Sequence, residues 1–178
     1  MVGRMELRQV DEVTLEGLLA VAVEDAEPEE VMPPVAGPPG WTALRREAFR
    51  SWHRARRPGL AGPLRESTFA IVHEGETVGS ARLAARGSRE VLETGMWLAR
   101  SQRGRGIGSA ALRILLGEAA RAGAQTVVAD TTVHNAAALA ALRGNGATLA
   151  PGEGTADVHA ELRPGTPMRG RSVGGRPG

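Results

Sequence analysis

The sequence predicts an α/β fold of the α+β kind, built as one domain over residues 1–162 with a separate tail over 163–178. Three observations carry this. Segments that alternate apolar and polar residues trade places along the chain with segments whose apolar residues recur every three to four positions. Residues 68–100 form a run of strand-like segments with turn residues between them, which points to hairpins. The 178 residues suffice for one well-buried core and are too few for two comfortable ones.

Each element has its own signature. MELRQV (5–10) alternates like a short strand. DEVTLEGLLAVAVED (11–25) places Val13, Leu15, Leu18, Leu19, Ala22 and Val23 on one helical face. Residues 26–40 are broken by repeated prolines and are expected to hold no regular structure. WTALRREAFRSWHRARR (41–57) sets Trp41, Leu44, Ala48, Trp52 and Ala55 on one stripe with arginines elsewhere, an amphipathic helix. TFAIVHEGETVGSARLAA (68–85) reads as two strands around a Glu-Gly-Glu turn, and VLETGMWLAR (91–100) as a third. A glycine-rich loop then opens a helix that Gly123 is placed to stop. QTVVADTTV (125–133) is a strand, NAAALAALRGNG (135–146) a short helix, and ATLA (147–150) with DVHAEL (157–162) a closing strand pair. The Gly/Pro/Arg tail has little apolar surface to bury and is expected to be disordered. No internal repeat is visible.

Composition excludes several chemistries. The chain has no Cys, so disulfides, thiolate metal sites and a cysteine nucleophile are ruled out, and no metal site is expected. All 22 basic residues are Arg, which removes every lysine-dependent mechanism. The tail carries four arginines and no acid. The rest holds 18 arginines against 20 acids, a balance of −2, so the net +2 is a property of the tail and is weak evidence for nucleic acid. No signal-like hydrophobic leader and no apolar run of membrane-spanning length are visible, which leads to the expectation of a soluble, cytoplasmic protein without a membrane partner.

RSQRGRGIGSAALRILLGEAARAG (100–123) concentrates the chemistry. Glycines let backbone N–H groups converge on an anion, and a helix N-terminus favours negative charge there. A Walker loop needs a Lys, and the chain has none. A Rossmann fingerprint needs a glycine at position 109, where Ser109 stands, and it follows the first strand of a parallel unit rather than a late one. Arg103-Gly104-Arg105-Gly106-Ile107-Gly108 instead resembles the Q/R-x-x-G-x-G/A motif of the GNAT superfamily of N-acetyltransferases. ETGMWLARSQRGRGIGSAALR resembles the strand–loop–helix of that family's RimJ/RimL-like branch, including the Trp97-Leu98 step. Asn135 resembles the Asn that opens the family's last helix, and LRGNGATL occupies the place of its glycine-aromatic ending. The resemblance covers residues 5–162 in element order.

The resemblance implies a mixed, largely antiparallel sheet with helices on both faces. It implies acetyl-CoA as co-substrate, its pyrophosphate on the backbone of Arg103, Gly104, Arg105, Gly106, Ile107, Gly108 and Ser109. The pantetheine arm would lie between two splayed strands, against Trp97, Leu98 and Ala99, with Asn135 beside it. The implied activity is direct attack of a primary amine, on a small molecule or a protein N-terminus, on the thioester. Such a step needs a base for the amine proton and a donor for the leaving thiolate. A strand N–H such as that of Leu98 suits the thioester oxygen.

Glu93, early on the strand leading to the loop, is the first candidate base and Asp130 the second. Each is equally readable as a solvated or capping acid. His53 and His134 rank below them. Trp41, Trp52 and His53 belong to the expected acceptor cover, together with the proline-rich loop. The acidic run Glu24, Asp25, Glu27, Glu29 and Glu30 is readable as an attractor of a cationic amine, such as an aminoglycoside or polyamine, or as a solvated helix end. The sequence departs from the family where relatives carry a thiolate-protonating Tyr: that place holds Leu142, and the Ser three after the Asn is Ala138. A CoA-binding module with little turnover, and a nucleic-acid-interacting protein using the Arg tail, are the rival readings. A homodimer is left open.

Overall fold

The structure, a computed structural model, describes residues 2–165. The tail expected to be disordered lies outside the described residues from position 166 onward. Seven strands form one sheet: β1 (Met5–Gln9), β2 (Glu66–His73), β3 (Glu76–Arg86), β4 (Ser88–Leu98), β5 (Thr126–Thr132), β6 (Thr148–Pro151) and β7 (Asp157–Leu162). Their order is β1-β2-β3-β4-β5-β7-β6. All neighbours are antiparallel except β4 and β5, which run parallel. The helices are α1 (Glu12–Asp25), α2 (Pro28–Val31), α3 (Ala43–Ala55), α4 (Ile107–Arg121) and α5 (Ala136–Gly144). The expected mixed, largely antiparallel sheet covered on both faces is the observed one.

Two apolar layers hold it. On one face Leu112, Leu115 and Leu116 of α4, with Leu142 of α5, pack against Ile71, Leu83, Leu92 and Val127 of the sheet. On the other, Leu15, Leu18 and Leu19 of α1 meet Phe49 of α3, with Trp97 of β4 partly buried beside them. Side-chain alternation along β4 therefore divides it. Leu92, Thr94, Met96 and Leu98 face α4, while Glu93, Gly95 and Trp97 face α1 and α3.

Three sequence expectations need correction. The proline-broken stretch contains one helical turn, α2. Pro28 stands at its first position, where no N–H is needed, and Glu27 and Glu30 cap it reciprocally. On α3 the buried side is Arg45, Phe49 and His53, one position round from the expected stripe, and Leu44 is 63% exposed. The reason is Arg45. Its buried guanidinium donates to the carbonyls of Val35 (3.0 Å), Gly40 (2.8 Å) and Pro38, holding a loop that has no ladder of its own. On α1, Val13 is 85% exposed rather than part of the buried face.

Candidate active site

The parallel pair β4–β5 is short. It holds at Val91–Thr126, Leu92–Val127 and Glu93–Val128, and then the strands part, β5 continuing beside β7 from Ala129 to Thr132. A gap opens beside the second half of β4. The Ala99 N–H donates to Val78 O at 2.9 Å. By strand alternation Trp97, Gly95 and Glu93 also turn their backbone groups toward β3, while Thr94, Met96 and Leu98 turn theirs into the gap. Of the three residues expected to line the pantetheine arm, Leu98 alone presents a backbone N–H there. Trp97 and Ala99 spend theirs on β3, and Met96, which the sequence reading did not name, also turns its backbone into the gap.

On the α4 side of the gap lies a cavity of about 170 Å³, lined by Thr94, Met96, Leu112, Asn135, Ala138 and Leu142 among others. On the opposite side lies an open hollow of about 950 Å³, lined by Arg86, Glu93, Asp130, Glu153, Asp157 and His159 among others. Asp130 lines both.

The glycine loop stands at the end of β4. Gly104 (φ +73°) and Gly106 (φ +77°) are left-handed, a conformation that costs an L-residue roughly 1–2 kcal/mol. Gly106 is the N-cap of α4 and has no side chain to offer, and the first helical bond runs from Ala110 N to Gly106 O at 3.1 Å. The amides of Ile107, Gly108 and Ser109 thus project from the helix end without a cap. Helices α1, α3 and α5 differ, capped by Asp11, Thr42 and Asn135. Gly108 does not depend on being glycine: a Cβ there would stand 3.6 Å from Leu98 Cδ1, an ordinary contact, which agrees with the Gly-or-Ala alternation of the motif. Ile107 is 1% exposed and anchors the turn in the core. The Ser109 hydroxyl is engaged, 3.2 Å from the donating Asn145 Nδ2, so Ser109 contributes its backbone.

The side chains of the loop arginines are engaged within the protein. Arg103 donates from Nε to Leu98 O (3.1 Å) and from Nη2 to Glu30 (3.2 Å), and Arg105 donates to Gln102 (2.7 Å). The acidic run explains this. Asp25 accepts from the Ser101 N–H at 2.9 Å and from its hydroxyl, and Glu30 pairs with Arg100 and Arg103. The Ser101 bonds hold the Asp25 carboxyl below its ordinary value, and the Glu27 N–H does the same for Glu30, helped by Arg103. Asp25 and Glu30 therefore brace the glycine loop rather than wait for a cationic ligand.

In the open hollow Glu93 is clamped. Arg82 donates to it at 2.9 Å, and Arg86 donates from Nε at 2.7 Å and again from Nη2. Arg82 also pairs with Glu66 (3.5 Å), which pairs with Arg56, so a lane of alternating charge crosses β2, β3 and β4. Asp130 is placed differently. Its Oδ1 lies 2.8 Å from Nδ1 of His159, directly opposite on β7. His159 Nε2 has Glu161 at 3.9 Å and otherwise faces the hollow.

His53, expected on the acceptor cover, is 1% exposed and enclosed between Phe49 and Trp52. Burial, and secondarily Arg56, push its pKa down to about 4. Trp41 donates its indole N–H to Ala26 O (2.9 Å) and meets Phe49 edge-on, and Trp52 carries Arg56 over its ring at 3.8 Å. Both help build the helical layer over the sheet. Asn135 spends its Oδ1 on the Ala138 N–H (3.0 Å) while lining the inner cavity. His134 is exposed. Among the described residues no group of three or more His, Asp or Glu side chains is placed to hold a metal ion.

Open helix amides, a strand edge left unpaired by β5 and a buried Thr94 hydroxyl without a partner among the described residues fit a ligand with a diphosphate and an extended, hydrogen-bonding arm. A family model described as an acetyltransferase (GNAT) domain matches residues 4–148. Among solved structures, Mycobacterium smegmatis RimJ in complex with CoA-disulfide aligns with a TM-score of 0.72 and 22% identity, over 90% of this chain and 82% of that one. The ribosomal L7/L12 alpha-N-protein acetyltransferase RimL in complex with coenzyme A aligns with a TM-score of 0.70 and 23% identity, over 89% and 93%. The Campylobacter jejuni N-acetyltransferase PseH in complex with acetyl coenzyme A aligns at 0.64 and 12%, over 90% and 99%. At these identities the likeness establishes the fold. No curated protein sequence matches the chain.

Proposed function

The chain belongs to the GNAT acetyltransferase family, and on that premise we propose that it transfers the acetyl group of acetyl-CoA to a primary amine by direct attack. The observation that carries this is the alignment of three features along one path. The uncapped amides of α4 stand at the mouth of the β4–β5 gap, the gap holds the inner cavity, and Asp130 lies where that cavity meets the outer hollow. The amides of residues 107–109 would hold the pyrophosphate, and the Met96 and Leu98 backbone the pantetheine arm. Acetyl-CoA supplies an activated acyl thioester. The Leu98 N–H, turned into the gap, is the donor this chain offers to the thioester oxygen.

The proton of the amine is assigned to the Asp130–His159 pair. Asp130 accepts from His159 Nδ1–H and fixes the ring, leaving Nε2 to take the proton, the usual logic of an oriented base. Glu93, the stronger candidate in sequence, has its oxygens occupied by Arg82 and Arg86 and serves better as a fixed charge in the floor of the hollow. The hollow also holds Asp130, Glu153 and Asp157 against the single cation Arg86, which favours a cationic amine, whether a small molecule or a protein N-terminus. Residues 1–162 form the catalytic domain in this reading. The arginines of α3, with Arg56 and Arg57 just beyond it, are engaged by Glu12, Glu16, Glu47 and Glu66 or by backbone carbonyls, which weighs against a nucleic-acid surface there. The lack of a Tyr at Leu142 keeps a CoA-binding module with little turnover as the second reading. A panel of amines assayed for CoA release separates them: the enzyme acetylates at least one cationic amine, whereas the module binds acetyl-CoA and releases CoA with none.

A further inference from the structure

We propose that Thr94 is a catalytic hydrogen-bond donor to the sulfur that leaves during acetyl transfer, an inference that rests on the acetyltransferase reading above. Thr94 stands one residue past the last β4–β5 pair, Glu93–Val128, where the gap begins. It is 7% exposed, and its Oγ1 has no hydrogen-bond partner among the described residues. A buried hydroxyl without a partner loses its bonds to water and gains nothing in return, so natural folds rarely leave one. Thr68, also buried, has its hydroxyl beside His53 Nδ1 at 3.2 Å. Thr94 lines the inner cavity with Met96, Asn135, Ala138 and Leu142, and among the described residues it is the one buried polar side chain that does. Ala138 and Leu142, facing it from α5, bring no polar side-chain atom.

The chemistry supplies what the hydroxyl lacks. The cationic amine first loses a proton to solvent; in the transfer a bond then forms between the neutral amine nitrogen and the carbonyl carbon, and the carbon–sulfur bond breaks with its electron pair staying on sulfur. The nitrogen's proton passes to His159 Nε2, and solvent returns one to the sulfur after release. Thr94 keeps its proton and donates a hydrogen bond to the negative charge that grows on sulfur. Such a bond strengthens as the charge develops, which is the condition for lowering the barrier rather than merely binding.

The test uses the full chain with Thr94→Val, which keeps the shape and removes the hydroxyl, and Thr94→Ser, which restores it. Binding of CoA and of desulfo-CoA is measured at about pH 10, well above the ordinary cysteine value of about 8.5, so that the alkyl thiol of CoA is largely ionised. Wild type prefers CoA over desulfo-CoA. Thr94→Val loses that preference by about tenfold or more while its affinity for desulfo-CoA stays within about twofold, and Thr94→Ser regains it. The melting temperature of unliganded Thr94→Val is equal to or above that of wild type, because no folded-state bond is lost. Its kcat falls by about tenfold or more at unchanged KM for the amine. An unchanged CoA preference overturns the proposal, as does equal weakening toward both ligands accompanied by a lower melting temperature, which marks a structural hydroxyl. Failure of wild type to bind CoA or acetyl-CoA at all would instead overturn the acetyltransferase reading itself.

Discussion

Acidification below pH 6.5 should cost this protein stability through His53 before the carboxylates begin to contribute. Its ring lies 4.6 Å from Phe49 and 4.8 Å from Trp52, centroid to centroid, and Nε2 has no partner among the described residues. A proton there would place a charge in apolar packing beside Arg56, so its pKa falls from 6.5 to about 4. Above pH 6.5 neither the folded nor the unfolded chain holds this proton, and the full stability is present. Between 6.5 and about 4 the unfolded chain binds it and the folded chain does not, so stability declines as the pH falls. Below about 4 both bind it and the decline from this group ends. At ~1.4 kcal/mol per pH unit, the interval corresponds to about 3 kcal/mol. Urea unfolding of wild type and His53→Gln across that interval isolates it, since carboxylates such as Glu12, held down to about 2 by the Arg54 and Arg57 hydrogen bonds, titrate alike in both chains. The wild-type curve should fall about 3 kcal/mol further than the variant's. Parallel curves would show that His53 is hydrated or protonated in the fold and refute the reasoning.

Gly106→Val should lower stability by about 1–2 kcal/mol, because φ +77° disfavours a β-carbon, and should abolish acetyl-CoA binding by turning the α4 amides; Gly108→Ala should change neither, and binding by Gly106→Val at wild-type affinity would count against the loop. Asp130→Asn and His159→Gln should each keep acetyl-CoA affinity and lower kcat about 10²-fold, whereas Glu93→Gln should cost less. Steady-state kinetics in which Glu93→Gln is the most damaged variant would return the base to Glu93. Removing residues 166–178 should leave melting temperature and acetyl-CoA affinity unchanged, because they carry little apolar surface. The cut falls after Gly165, whose N–H donates to Leu116 O at 3.1 Å; a loss of several degrees on calorimetry would show that the tail is docked.

What the sequence made legible was local. The stop of α4 just before Gly123, Asn135 at the start of α5 and the bounds of β7 depend on neighbours within a few positions, and pattern captures those. The site depends on pairings across the sheet. Whether Trp97 or Leu98 turns its N–H into the gap is decided by the register with β3, which no local periodicity reveals. His159 and Asp130 stand 29 residues apart in sequence, joined only by the β5–β7 register. Alternation in DVHAEL shows that Asp157, His159 and Glu161 share a face, but not what they face. The α3 face was misread because Leu44 looked like core and Arg45 did not, although three carbonyls of the preceding loop need a donor that only a buried arginine reaches. The tie of Arg103 to Glu30 spans 73 residues, so its part in bracing the loop was not visible locally either.

The most direct test of the account is amide hydrogen exchange by NMR during titration of the full chain with acetyl-CoA. The uncapped amides of Ile107, Gly108 and Ser109, and the gap-facing amides of Met96 and Leu98, should become protected together and saturate with one dissociation constant. The amides of Trp97 and Ala99, already committed to β3, should change little. Saturable binding that leaves residues 107–109 and Leu98 unprotected, or no binding at all, would contradict the claim that the glycine loop and the β4–β5 gap together form the acetyl-CoA site.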